Sequence, residues 1–285
     1  MSAAPTHAFV LNLDAEEELE DPSAQTSTAA VRARIAVLAQ RLVDLVAGGI
    51  VVEDGVRADG ARGLAWCATP SALARLRAAG AVPAATPPFE IVRRVNHRRF
   101  SFDLGPTLPG ETWATSVDDV RRALAAGGEW LLKAGYGFAG RGRVVLAGPP
   151  SDADLARIAR LVAGGGAQLE PLVRRRADYA MHGWLAASGE LTRGGLTRQR
   201  CDERGAWLGT ERFDEDDVAV PLWDELEGVA RALHDAGYFG PFGIDAFTWE
   251  APGGAVALRR RCEINARYSM GWAIGMGSNR PDLAQ

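Results

Sequence analysis

The hydrophobic pattern of this chain switches repeatedly between period two and period 3.6, the signature of strands alternating with helices. Residues 7–13, His-Ala-Phe-Val-Leu-Asn-Leu, read as a short strand, and an acidic cluster from Asp14 to Glu20 follows it. Val31, Ile35, Leu38, Leu42 and Leu45 recur at helical spacing over 29–46, and Gly48-Gly49 ends that helix. Residues 50–52 and 64–67 read as further strands, after which Thr69-Pro70-Ser71 opens a helix through Leu73, Leu76 and Ala79 that Gly80 stops. The three prolines of 83–88 read as a linker. Beyond it Ser116 caps a helix over 117–126, residues 129–133 and 143–147 are strands, and Ser151 caps a second helix over 152–163. Segments 168–173, 178–187, 196–201 and 206–210 are strand-like with little helix between them, which predicts an antiparallel region. A last helix over 222–236 leads to strands at 242–249 and 255–265 joined by Ala251-Pro252-Gly253-Gly254.

Composition narrows the class. A length of 285 residues fits about two domains at roughly 150 residues each. The boundaries expected are 1–88 for a small α/β unit and 89–285 for a larger α+β unit, the latter divided at 166/167. With 47% hydrophobic and 24% charged residues the chain is an ordinary globular protein. A net charge of -4 offers no basic field for nucleic acid. No apolar run approaches the roughly 18–20 residues of a membrane span, and no signal-peptide pattern opens the chain, so a cytoplasmic location is expected. Cys67, Cys201 and Cys262 are too far apart for a disulfide framework or a zinc knuckle. Of 32 basic residues only Lys133 is lysine. A lone lysine in an arginine-rich chain is a candidate for a task that needs a compact charge on a thin stem. Were it on an exposed strand, Lys133→Arg would be near neutral for stability.

Lys133 precedes Gly135-Tyr136-Gly137-Phe138-Ala139-Gly140, with Arg141 and Gly142 next. The dinucleotide-binding version of this pattern runs from a strand into a helix. Here it joins two strands, which disfavours a Rossmann oxidoreductase and predicts a glycine-rich hairpin. Kinases close such a hairpin over phosphates, but their H-R-D and D-F-G motifs are missing. Further along, alternation sets Asp245 on the strand face opposite Ile244 and Ala246, and gives Glu263, Asn265 and Arg267 one shared face. Oxygen donors on adjacent strands suit Mg²⁺. No nucleophile is paired with His97, His182 or His234 by motif.

Taken in order, Lys133 with its glycine hairpin, Gln168-Leu169-Glu170-Pro171-Leu172-Val173, Asp245, and Glu263-Ile264-Asn265-Ala266-Arg267 resemble the ATP-grasp superfamily over roughly 89–277. The preceding segment resembles the small α/β domain that often accompanies that fold. The resemblance implies a fold of two α+β subdomains clamping ATP behind a small parallel-sheet α/β domain. It also implies contacts from Lys133 and the hairpin (Gly135, Gly137, Gly140, Arg141, Gly142) to the ATP phosphates. Glu170 and the Leu172 backbone would meet adenine, Asp178 the ribose, and Asp245, Glu263 and Asn265 Mg²⁺ or Mn²⁺. Arg267 would steady the transferred phosphoryl group. The family's upstream lysine is replaced by Asn96-His97-Arg98-Arg99, so Arg98 is expected there, with Arg99 as the alternative; Arg198 and Arg200 stay unassigned. The activity implied is ligation of a small-molecule carboxylate to an amine or thiol through an acyl phosphate, with a phosphotransferase or a non-catalytic nucleotide-binding protein as alternatives. Substrates would be small molecules, with neither nucleic acid nor membrane as partner and a homodimer as the expected assembly.

Overall fold

Three consecutive residues of strand β1 (His7–Val10), Ala8, Phe9 and Val10, are fully buried, as both faces of a parallel sheet require. The computed structural model describes residues 7–23, 33, 36–137, 142–201, 207–213 and 218–284. β1 pairs in parallel with β2 (Ile50–Val51) and β3 (Arg62–Ala65), and β3 pairs with β4 (Val82–Pro83), giving the order β2-β1-β3-β4. Ala8 and Val10 face Ala72 and Leu76 of helix Pro70–Ala78, while Phe9 turns to the opposite side and joins the main core. Asn12 ties the sheet's end together: its amide donates to Cys67 O at 3.0 Å and its carbonyl accepts from Cys67 N at 3.2 Å. Cys67 and Cys262 are buried free thiols.

Several elements depart from the sequence reading. The acidic cluster is itself a helix, Ala15–Glu20, because Leu19 and Glu16 turn inward. In the 29–46 helix, residues 33 and 36–39 are helical, the chain breaks at 40–42, and Val43–Val46 forms a separate turn; 24–32, 34 and 35 lie outside the described residues. Val82 and Pro83, within or beside the expected linker, make edge strand β4, where proline's missing N–H does no harm. The pattern does not predict helices Phe89–Asn96 and Arg98–Asp103, because each spans only about two turns or less and gives too short a window for a 3.6-residue period.

A second sheet has the order β5-β8-β6-β7, all antiparallel, from β5 (Thr112–Ala114), β6 (Glu129–Ala134), β7 (Arg143–Ala147) and β8 (Ala167–Pro171). Helices Val117–Ala125 and Asp152–Ala163 cover one face, packing Val120, Ile158 and Val162 on Leu132, Val144 and Leu169. Ser116 and Ser151 close capping boxes with Asp119 and Asp154.

The third sheet runs β12-β11-β9-β13-β14 with β10 on β9. Its strands are β9 (Arg175–Leu185), β10 (Leu191–Arg193), β11 (Thr197–Cys201), β12 (Trp207–Arg212), β13 (Gly240–Glu250) and β14 (Val256–Asn265). Helix Ala219–Asp235 fills its back through Leu222, Leu226, Val229 and Leu233, in one core with Met181, Ile244, Ile264, Trp272 and, from the first sheet, Phe9 and Trp66. The parallel unit therefore shares apolar surface with the larger one.

A buried ion cluster joins the second and third sheets. Glu170 of β8 contacts Lys133 of β6 through one oxygen at 2.5 Å and Arg259 of β14 through the other at 2.8 Å. Arg259, fully buried, also lies 3.1 Å from Glu111, which accepts from Gln168. Burial by itself would raise the Glu170 carboxyl, but the two cations overcome it and hold the group down at about 2. Removing one partner of a buried pair leaves uncompensated charge, at a cost of about 3–5 kcal/mol. Glu170→Gln is therefore expected to lower unfolding free energy by about 3 kcal/mol or more, read from the urea midpoint. Because the carboxyl is depressed, its stabilisation is present above the ordinary carboxylate range and is lost as pH falls toward 2. The variant should lie closest to the parent at that acid end.

Candidate active site at the junction of the two antiparallel sheets

The pairing of β13 with β14 sets Asp245 opposite Glu263 and Gly243 opposite Asn265. The same face continues through His182 of β9, opposite Gly243, and through Gln199 of β11, so one sheet surface is polar while Ile244 and Ala246 face the core. Asp245 accepts from Gln199 Nε2 at 2.8 Å and from Asn265 Nδ2 at 3.1 Å. Burial, and secondarily the charge of Glu263, push its carboxyl up to about 6. A carboxyl whose ionisation is opposed by burial and by a neighbouring carboxylate marks a place that a cation relieves. Among the described residues no group of three or more His, Cys, Asp or Glu could hold a metal. A metal here would take two carboxylates and the Asn265 amide oxygen, a hard donor set that suits Mg²⁺ with water and phosphate completing its shell. Asp245, Glu263 and Asn265 are thus brought together as expected from their spacing.

Arg98 closes this site from the other side. Its Nη2 donates to Glu263 Oε1 at 2.7 Å and its Nη1 to Ala134 O, at the end of β6, at 2.8 Å. The Arg98 N–H donates to Gly135 O at 2.9 Å, so the segment runs against the base of the glycine hairpin. Gly135 is required there, since a Cβ would strike the His97 ring. Arg99 instead pairs with Asp103 and lies over Phe102 and Trp113, away from Glu263. Gly137 and Gly142 are described, Gly142 with φ +70, whereas Gly140 and Arg141 lie outside the described residues.

The other expected residues have partners that spacing did not disclose. Lys133 is held by Glu170 and only 12% of its side chain is exposed, so the sequence picture of an exposed strand is corrected: alternation turns Lys133 inward on β6. Both Glu170 oxygens are engaged by cations, and the Leu172 N–H donates to Glu129 O at 2.8 Å. Asp178 pairs with Arg175 at 2.9 Å. Arg267 turns toward the first sheet, where it pairs with Glu16 and lies over Trp66. Arg198 packs over Tyr179 and Phe213 on the face opposite Asp245, and Arg200 shares that side by alternation. Neither reaches the polar face.

Sequence reasoning missed Gln199, Glu16, Arg259 and a histidine pair. His182 is buried, and Thr197 Oγ1, 3.0 Å from its Nε2, donates its own hydrogen to Ala180 O. Nε2 must therefore donate, and Nδ1 accepts from Ser269 Oγ at 3.2 Å. Burial pushes this imidazole down to about 3, so it stays neutral and acts as a fixed acceptor. Residues 182 and 269 are joined only through the tertiary fold. No signal in the chain marks them as partners.

No family model and no curated protein matches the sequence. Solved structures do match. N5-carboxyaminoimidazole synthetase from Staphylococcus aureus, complexed with ADP, superposes with a TM-score of 0.55 at 10% identity, over 93% of this chain and 71% of that one. D-alanyl-alanine synthetase A from Vibrio cholerae gives 0.51 at 11% identity over 93% and 90%, and biotin carboxylase from Campylobacter jejuni, in a β,γ-ATP complex, 0.53 at 13% over 95% and 71%. Among the described residues no helix is long and apolar enough to cross a membrane. Backbone likeness at such low identity speaks for architecture. With a hairpin-bearing antiparallel sheet set against a larger one and a small parallel sheet packed alongside, this chain has the ATP-grasp fold.

Proposed function

We propose that this protein is an ATP- and Mg²⁺-dependent ligase that activates a small-molecule carboxylate as an acyl phosphate for attack by an amine or thiol. The observation that supports this best is the placing of Asp245, Glu263 and Asn265 on one sheet face with Arg98 and the foot of the glycine hairpin against them. In this reading Asp245, Glu263 and Asn265 hold Mg²⁺. When bound, the ion offsets the charge that builds on the phosphates during transfer. Lys133 on β6 and Arg98, which donates to Gly135 O at the hairpin's base, bind phosphate oxygens, while the hairpin's N–H groups cover them. Glu170 and the strand beside it border the adenine, Asp178 the ribose.

A carboxylate oxygen attacks the γ-phosphorus and ADP leaves. The nucleophile's nitrogen or sulfur then attacks the acyl carbon, its proton passes to solvent, and phosphate departs. In the same reading Arg267, which Glu16 holds at the boundary with the 1–88 unit, steadies the transferred group. No side-chain nucleophile takes part. Catalysis comes from positioning and charge.

ADP release measured across pools of carboxylates with and without amines, followed by mass analysis, tests the reaction. ADP that requires both substrates supports ligation; a stable phosphorylated product from one substrate supports phosphotransfer instead. Asp245→Asn should lower turnover at least about hundredfold, roughly 2.7 kcal/mol, with the far-ultraviolet circular dichroism of the parent. Parent-like ADP release by that variant would remove the metal assignment. ATP with Mg²⁺ at about 100 times its Kd should add about 2.7 kcal/mol of stability and raise the melting temperature, whereas NADH should not. Lys133→Arg should lose at least about tenfold in turnover, roughly 1.4 kcal/mol. Because the site is enclosed, it should also lose about 1–3 kcal/mol in stability, read in the same melts.

A further inference from the structure

Each cation of the proposed site already has a carboxylate: Glu170 for Lys133, Glu16 for Arg267, Glu263 for Arg98. The third pair differs from the others, because its carboxylate is one of the three metal donors. Arg98 is held at three points, by Glu263 Oε1, by Ala134 O and through its own N–H by Gly135 O. Its Nε is buried and has no hydrogen-bond partner. Asp245, across the strand pair from Glu263, is met by two neutral amides. Arg98 is the guanidinium in direct contact with this carboxylate pair among the described residues, while Arg267, held by Glu16, acts on both carboxylates by charge from further away.

A divalent cation that enters alone must take Glu263 from Arg98 and then sit beside a guanidinium stripped of its partner. Like charges a few ångströms apart in a partly buried site repel strongly. Phosphates change the balance. Arg98 is tethered to Gly135 O and Ala134 O at the end of β6 and its Nε has no partner, so an anion bound beside it offers the guanidinium a new partner without moving its backbone.

We propose that Arg98 bars the metal site until nucleotide phosphates draw it off Glu263, so that metal and nucleotide bind as a coupled pair. This rests on the nucleotide and metal reading given above. The coupling is reciprocal: whatever factor the nucleotide adds to metal affinity, the metal adds to nucleotide affinity.

The test uses Mn²⁺ as probe and the full chain, with binding followed by water-proton relaxation enhancement, which separates protein-bound Mn²⁺ from free Mn²⁺ and free Mn²⁺–ADP. The parent should bind Mn²⁺ at least about tenfold more tightly with saturating ADP than without it. Arg98→Met should bind Mn²⁺ without ADP at least about tenfold more tightly than the parent, and its dependence on ADP should shrink accordingly. Melting curves check that the variant is folded, and Arg98→Gln, which also removes the charge, replaces it if it is not. Equal Mn²⁺ affinity of parent and charge-free variant without ADP overturns the proposal while leaving the site reading intact, provided Mn²⁺ binds both with ADP. Absence of bound Mn²⁺ in both proteins even with ADP overturns the site reading, and this proposal with it.

Discussion

The buried cluster of Lys133, Glu170, Arg259 and Glu111 is the constraint on which the arrangement of the larger unit depends. It is the place where the second sheet, through β6 and β8, meets β14 of the third sheet by charge rather than by apolar packing. Apolar contact is roughly non-directional, whereas a carboxylate shared between two cations fixes distance and orientation together. Its neighbours follow from that. With β8 and β14 set, the end of β6 at Ala134 and Gly135 is linked through Arg98 to Glu263 of β14.

The polar face of the third sheet is the second consequence. β13 sends Ile244 and Ala246 into a core shared with helix Ala219–Asp235 and sends Asp245 the other way, so the same strand that stabilises the sheet presents the carboxylate. The burial that makes Asp245 costly to ionise comes from the side chains around it on that polar face, of which Gln199 and Asn265 offset part of the cost by donating to it.

Charge balance runs through the whole junction. Lys133, Arg98 and Arg267 each rest against a carboxylate from a different element: β8, β14 and the helix Ala15–Glu20. Three cations this close would repel one another if left unpaired, and these carboxylates supply the opposing charge. In the proposed reading, ligand binding there is an exchange of partners, and its free energy is the difference between two sets of ion pairs.

What the sequence determined by itself was the local layer. Alternation placed Asp245 and the Glu263–Asn265 pair on strand faces, the strand-to-strand setting of the glycines excluded a Rossmann turn, and the Ser116 and Ser151 caps marked two helices that the structure contains. These features have periods of two to four residues and need no distant partner to be read. Only the tertiary structure decided which charges meet. Arg98 and Glu263 are 165 residues apart in the chain, Lys133 and Glu170 are 37 apart, and Glu16 and Arg267 are 251 apart. It likewise separated Arg98 from Arg99, turned Arg198 away from the polar face, and paired His182 with Ser269. An ion pair leaves no periodicity in the chain. It depends on two surfaces brought together by the packing of sheets, and that packing is a property of the assembled cores.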